Sequence, residues 1–202
     1  MKALGKVLFF NKSFMTRYTT TIGNKIYVPN EKYLTSNKWL AEEIIAHEYV
    51  HVVDSKRYGF VRFAFMYLFP QILALLALLA IPAAFFMSWV ALVFLLFLLL
   101  AMPLPAYWRR QFELRGYTMS LFVIANQMEK NRKPFSDREI KEELLKTAET
   151  IDRIYFRGSA YYFMWPFGVM PVFEKQIDQI ISGDISETDE VFVHVADALK
   201  QD

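Results

Sequence analysis

Hydrophobic and polar positions follow three different patterns along this chain. Around residues 14 to 28, Thr19, Thr20, Thr21 and Ile22, then Ile26, Tyr27 and Val28, flank Gly23-Asn24, and Pro29 closes the segment. β-Branched and aromatic residues around a pair able to take positive φ predict a β-hairpin. From Ser36 or Asn37, either of which suits an N-cap, the spacing becomes helical. Trp39, Leu40, Ile44, His47 and His51 fit an amphipathic helix running towards Tyr58, with Gly59 placed to end it. In the third pattern, from Phe63 to Met102, no charged residue occurs at all. One straight helix of that length would run about 60 Å, twice the roughly 30 Å hydrocarbon core of a bilayer. Pro82 divides the run into two similar pieces, which predicts a helical hairpin, transmembrane or re-entrant. The competing reading is a buried core hairpin of a soluble protein.

Beyond Pro105 the helical period returns. A helix is expected from Tyr107 to Lys130, ended by Pro134. Ser136-Asp137-Arg138-Glu139 has the form of a capping box, opening an amphipathic helix with Ile140, Leu144, Leu145, Ile151 and Ile154 on its apolar side. Gly158 to Pro171, rich in aromatic residues, glycine and proline, reads as a structured loop near the membrane or the cleft. Two short helices follow, Val172 to Ser182 and one after Ser186. The fold class expected is mainly α with a small β-hairpin or sheet. A single domain covers residues 1–202, in which a hairpin at 63–102 is inserted between soluble portions 1–62 and 103–202.

Composition sharpens this picture. Apolar residues make up 54% and aromatics 17%, high for a protein that keeps its whole surface in water. The excess lies between Phe60 and Pro105, so membrane lipid is an expected partner. Lys56, Arg57 and Arg62 precede the apolar run and Arg109, Arg110 and Arg115 follow it, whereas Ile81 to Phe86, the expected turn, has no charge. Basic flanks favour the cytoplasmic side, so both ends are expected there, with the hairpin re-entrant or reaching the far interface near Trp89. A net charge of +2, with no basic stretch interleaved with aromatics, argues against nucleic acid as a partner. The absence of cysteine removes disulfides and thiolate metal sites. The apolar run Val7 to Phe10 is too short for the core of a cleaved secretory signal, so export by that route is not expected.

His47-Glu48-Tyr49-Val50-His51 has the H-E-x-x-H spacing. On a helix, positions i and i+4 share a face, so both imidazoles reach one metal ion while Glu48 stands beside it as a general base. The bland reading is a helix with two internally satisfied histidines. A catalytic zinc needs a third protein ligand. The stretch Val52 to Arg57 holds no histidine in the register of the longer three-histidine motif.

In these residues the chain resembles the gluzincin group of zinc peptidases, in which a glutamate on a later helix completes the site. Glu113, within Arg109-Arg110-Gln111-Phe112-Glu113-Leu114-Arg115-Gly116-Tyr117, looks like that glutamate. It is mid-helix and followed by the small Gly116, which permits close helix packing. Its competing reading is a surface glutamate paired with Arg109, Arg110 or Arg115. The resemblance covers chiefly residues 39 to 58 and 107 to 120. The apolar hairpin between them is similar to that of integral-membrane members of such peptidases. Leu114 to Tyr117 stand where the group has Ala-Asp.

The resemblance implies one Zn2+ per chain, held by His47, His51 and Glu113. Glu48 would be the general base in hydrolysis of a polypeptide substrate at the cytoplasmic face of a membrane. An oxyanion helper would come from Tyr117, Arg157, Tyr161, Tyr162 or His194. Tyr117 comes first because it lies one turn after Glu113, whereas His194 is expected to be a surface or packing residue. The strand ending Ile26-Tyr27-Val28 is expected to offer its edge to an extended peptide. A hairpin also returns His51 and Glu113 to one side of the membrane, which a single crossing would not. Two other functions compete: a non-catalytic membrane-anchored scaffold in which zinc pins the two ligand helices, and a membrane protein with no metal. Oligomeric state is not set by these residues.

Overall fold

The computed structural model describes residues 8–10, 19–29, 32, 35–86, 88–101, 104–130, 135–157 and 168–200, and is mainly helical with one small sheet. Strands β2 (Thr20–Ile22) and β3 (Lys25–Val28) form the expected hairpin, with Gly23 at φ +63 in the turn. They pair antiparallel, Thr21 opposite Ile26. Strand β1 (Leu8–Phe10) adds in parallel to the other side of β3, giving the order β1-β3-β2. β3 therefore has both edges occupied. The expectation that the Ile26-Tyr27-Val28 strand offers an edge to a peptide is corrected: among the described residues, the outer strands of the sheet are β1 and β2.

Helix α1 (Lys38–Tyr58) begins where the Asn37 side chain accepts from the Leu40 N–H at 3.2 Å, and ends at Gly59, φ +80. Ile26 and Val28 are buried against Ile45 and Val52 of α1, which lays the sheet along this helix. Helix α5 (Tyr107–Glu129) runs antiparallel to α1. Gln127 Nε2 donates to Glu42 at the start of α1 at 2.9 Å, and Arg115 pairs with Asp54 near its end. Helix α6 (Asp137–Ile151) opens with the expected capping box on Ser136 and Glu139 and runs into a wide π turn, Asp152–Phe156. Helices α7 (Met170–Ser182), α8 (Ile185–Thr188) and α9 (Glu190–Lys200) complete the body. Its core includes Val50, Leu121, Leu144, Phe156, Phe173, Ile177 and Val195, all fully buried. Each large apolar side chain sequestered this way contributes about 1.5–3 kcal/mol. Most of the expected aromatic loop, residues 158–167, lies outside the described residues, as do Tyr161 and Tyr162 within it.

The apolar insert departs from expectation in two places. Helix α2 (Phe60–Leu68) is separate from the hairpin and folds onto the body, where Phe63 and Met66 pack with Phe112. Phe69 before Pro70 is extended (φ −74, ψ 137), as a residue preceding proline prefers. There the chain turns by 91° into the first arm. That arm comprises a 3-10 segment, Gln71–Leu79, and helix α3 (Ala80–Phe86). The second arm comprises helix α4 (Ser88–Leu95) and a 3-10 segment, Leu96–Ala101, and packs against the first. Ile81 to Phe86, the expected turn around Pro82, is instead helical and belongs to the first arm. Pro82 sits in the first turn of α3, where a missing N–H is best tolerated. Among the described residues no single helix is long and apolar enough to cross a membrane.

Candidate metal centre

α1 presents His47 and His51 one turn apart towards α5, and α5 presents Glu113 in return. His47 Nε2 lies 3.2 Å from His51 Nε2 and 3.4 Å from Glu113 Oε2, and His51 Nε2 lies 3.6 Å from Glu113 Oε1. One ligand atom from each of the three residues lies within 4.8 Å of the other two, forming a largely buried group able to hold a metal ion. A tetrahedral zinc bound by imidazole nitrogen and carboxylate oxygen at about 2.0–2.2 Å separates its donors by about 3.3–3.6 Å. Each side of the His47–His51–Glu113 triangle is near that size, with the two rings facing different oxygens of the Glu113 carboxylate. The sequence reading of Glu113 as the third member therefore agrees with the geometry. Its arginine neighbours are engaged elsewhere: Arg109 Nε donates to the Tyr67 carbonyl at 2.7 Å, and Arg115 bridges Asp54 and Asp189.

Gly116 makes the triangle possible. A Cβ at this position would lie 2.8 Å from Cε1 and Nε2 of His47, so α5 approaches the imidazole to a distance only glycine allows. Tyr117 follows with its ring 4.6 Å from that of His47, edge-on, and stacked on Tyr155 at 5.1 Å. Other candidate helpers lie elsewhere. Arg157 pairs with buried Asp152 at 2.7 Å, and exposed His194 on α9 stacks on Tyr49 at 5.7 Å.

Two participants escaped the sequence reading. The Tyr67 hydroxyl on α2 donates to Glu113 Oε1, and the Arg109 guanidinium lies 4.9 Å from the Tyr67 ring. Tyr67 sits inside the charge-free run, where lipid was the expected environment. The available signal was that Tyr67 and Gln71, polar residues one turn apart, open a run otherwise almost wholly apolar. The second is Thr21 on β2, whose hydroxyl donates to Glu48 Oε2 at 2.7 Å, with the Glu48 carbonyl 3.1 Å away as an alternative acceptor. A threonine in a short hairpin carries no sequence mark of such a role.

Electrostatics divide the group into distinct protonation states. Burial pushes the Glu113 carboxyl up, but His51 and His47 outweigh it and hold it at about 2. Burial lowers His51 to about 4, so this ring is neutral. Burial also depresses His47, yet the Glu113 carboxylate overcomes that and raises it. Without metal, then, the Glu113 carboxylate favours a proton on His47, while His51 stays neutral. Desolvation lifts Glu48 to about 7, against the opposing pull of His47 and the Thr21 hydroxyl. A carboxylate poised there matches the working range of a general base at neutral pH. His51 Nδ1 is buried without a hydrogen-bond partner among the described residues, whereas metal-bound histidines usually donate that second N–H.

Comparison with protein-family models, with curated proteins and with solved structures finds no match to this chain.

Proposed function

We propose that this protein is a zinc-dependent peptidase, acting as an endopeptidase on polypeptide substrates, with His47, His51 and Glu113 as ligands and Glu48 as general base. One observation carries the proposal: two imidazoles and a carboxylate grouped closely enough to hold one metal ion, with a carboxylate of raised pKa on the residue after the first histidine. Bound zinc would supply Lewis acidity and bring the pKa of a water down towards about 7. Glu48 would accept a proton from the attacking water and would later deliver it to the leaving amine. The Thr21 hydroxyl orients the Glu48 carboxylate, and among the described candidates Tyr117, against His47, would stabilise the developing oxyanion. Among the described residues β2 is an outer strand of the sheet, and its position beside Glu48 suits an extended peptide added by main-chain hydrogen bonds. This arrangement supports the resemblance to gluzincins drawn from the motif. The exposed apolar hairpin, with basic residues at both ends, serves as a membrane anchor that leaves the site on the cytoplasmic side.

The test compares Glu48→Gln and His51→Ala with wild type, measuring zinc per chain and cleavage of an unstructured polypeptide. Glu48→Gln is expected to keep one zinc and lose about 10²–10⁴-fold in rate, the usual contribution of a general base. His51→Ala is expected to lose both metal and activity. Zinc-loaded wild type that cleaves nothing, itself included, would overturn the peptidase and leave the zinc-pinned scaffold standing.

A further inference from the structure

The arms of the hairpin and helix α2 expose apolar surface in different ways. Leu75, Leu78, Phe85, Phe86, Leu92 and Leu96 on the arms are between 61% and 86% exposed. They occur on both arms and along their length, so a partner docking on one face would leave much of this surface wet. A solvent of acyl chains covers it from all sides. α2 is two-sided. Its inner face holds Phe63, Met66 and Tyr67, the last reaching Glu113, while Val61, Phe65 and Leu68 form an outward stripe at helical spacing, 80%, 48% and 42% exposed.

At the foot of the hairpin the chemistry changes. Gln71 Nε2 donates to the Leu104 carbonyl at 3.1 Å, which brings the two ends of the hairpin together. Next to them Tyr107 and Trp108 are 50% and 44% exposed. Lys56, Arg57 and Arg62 are exposed at the junction of α1 and α2, where the Arg57 and Arg62 guanidinium groups lie 6.0 and 5.9 Å from the Tyr58 ring. Apolar arms, then an aromatic collar, then cations reproduce the order of a bilayer from acyl chains to an anionic headgroup surface. Helical rises make the first arm about 28 Å long and the second about 24 Å, just under the roughly 30 Å hydrocarbon core. Phe85, Phe86 and Trp89 at the tip bring no charge that would draw it into water on the far side.

Building on the lipid-facing hairpin proposed above, we infer that α2 lies flat in the headgroup layer while the arms, at a right angle to it, enter the acyl region from the same side without emerging. The metal centre, tied to α2 through Tyr67 and Glu113, is thereby held at the bilayer surface. This seating concerns α2 and the membrane alone and does not depend on peptidase activity.

Because the chain has no cysteine, Val61→Cys, Phe85→Cys and Glu174→Cys each create one spin-labelling site in the full chain. On phosphatidylcholine vesicles containing phosphatidylglycerol, the label at position 85 should collide freely with oxygen and be shielded from a water-soluble nickel chelate. The label at 174 should behave oppositely, and that at 61 should fall between them. A label at 61 as wet as at 174, or as deep as at 85, overturns the seating of α2 while leaving the anchor in place. Failure to bind vesicles, or arms covered by a second copy of the chain in detergent-free buffer, removes the lipid-facing hairpin and the inference with it. As an independent check, Val61→Asp and Phe65→Asp should each lower vesicle partitioning about tenfold or more with zinc content unchanged. Unaltered partitioning counts against the proposed contact.

Discussion

Replacing Gly116 with alanine sets helix stability against metal geometry. The new Cβ would sit 2.8 Å from two ring atoms of His47, whereas ordinary contact begins at 3.4 Å, so the ring or α5 must yield by roughly 0.6 Å. Metal sites tolerate donor displacements of only about 0.2 Å. Overpacking costs about 1–3 kcal/mol, but exchanging a mid-helix glycine for alanine returns about 1 kcal/mol. The metal-free protein should therefore lose at most about 2 kcal/mol of stability. Zinc affinity should fall further, by about 10–100-fold, as when groups supporting a metal ligand are disturbed. Competition with a chelating dye measures the affinity, and thermal unfolding of the metal-free chain measures stability. An alanine variant binding zinc within about threefold of wild type would show that the close approach of α5 to His47 does not set the donor triangle.

Three further outcomes follow from the charges around the site. With His47 raised and Glu48 at about 7, zinc binding near neutral pH should expel protons, and affinity should strengthen as pH rises through that range and weaken as it falls; calorimetry in buffers of differing ionisation enthalpy counts the protons, and a count near zero contradicts the raised His47. Arg115→Met strips buried Asp54 of its cation and should cost about 3 kcal/mol at pH 8. The loss should shrink towards pH 5, because Asp54, lifted by desolvation to about 6, is then protonated. Denaturant titrations at the two pH values test this, and adding Asp54→Asn should recover most of the loss. Thr21→Val should lower kcat about tenfold or more by freeing the Glu48 carboxylate, with zinc content intact and rescue by Thr21→Ser, since a hydrogen bond to a charged group is worth about 1.5–3 kcal/mol; equal rates for valine and serine would exclude a positioning role.

What could be read from the amino acids depended on how local each signal was. Asn37, Gly59 and Ser136 mark helix ends through hydrogen bonds and φ angles within a few residues, and the ends fell there. The His47 and His51 pair follows from helical spacing alone. Glu113 and Gly116 were found through resemblance to a family pattern, and their meeting with His47 depends on α5 crossing α1. β1 was missed because its pairing with β3 is parallel and distant in sequence, with no turn to announce it. Pro82 and Pro70 lie in equally apolar surroundings, and the contacts that fold α2 onto the body before the bend at Pro70, Phe63 and Met66 on Phe112 and Tyr67 on Glu113, are distant in sequence. α5 is enclosed nearly all round from Thr118 to Val123, which erases the periodicity that would reveal its neighbours.

The bend at Pro70 also decides how the insert can be dissected. Excising the whole uncharged stretch would discard Tyr67 and strip Glu113 of its phenolic partner. Since Gln71 and Leu104 already touch, a short turn joining these positions would bypass the greasy arms and retain α2 whole. The natural border of a water-soluble derivative thus runs through this handshake and not through the first uncharged residue.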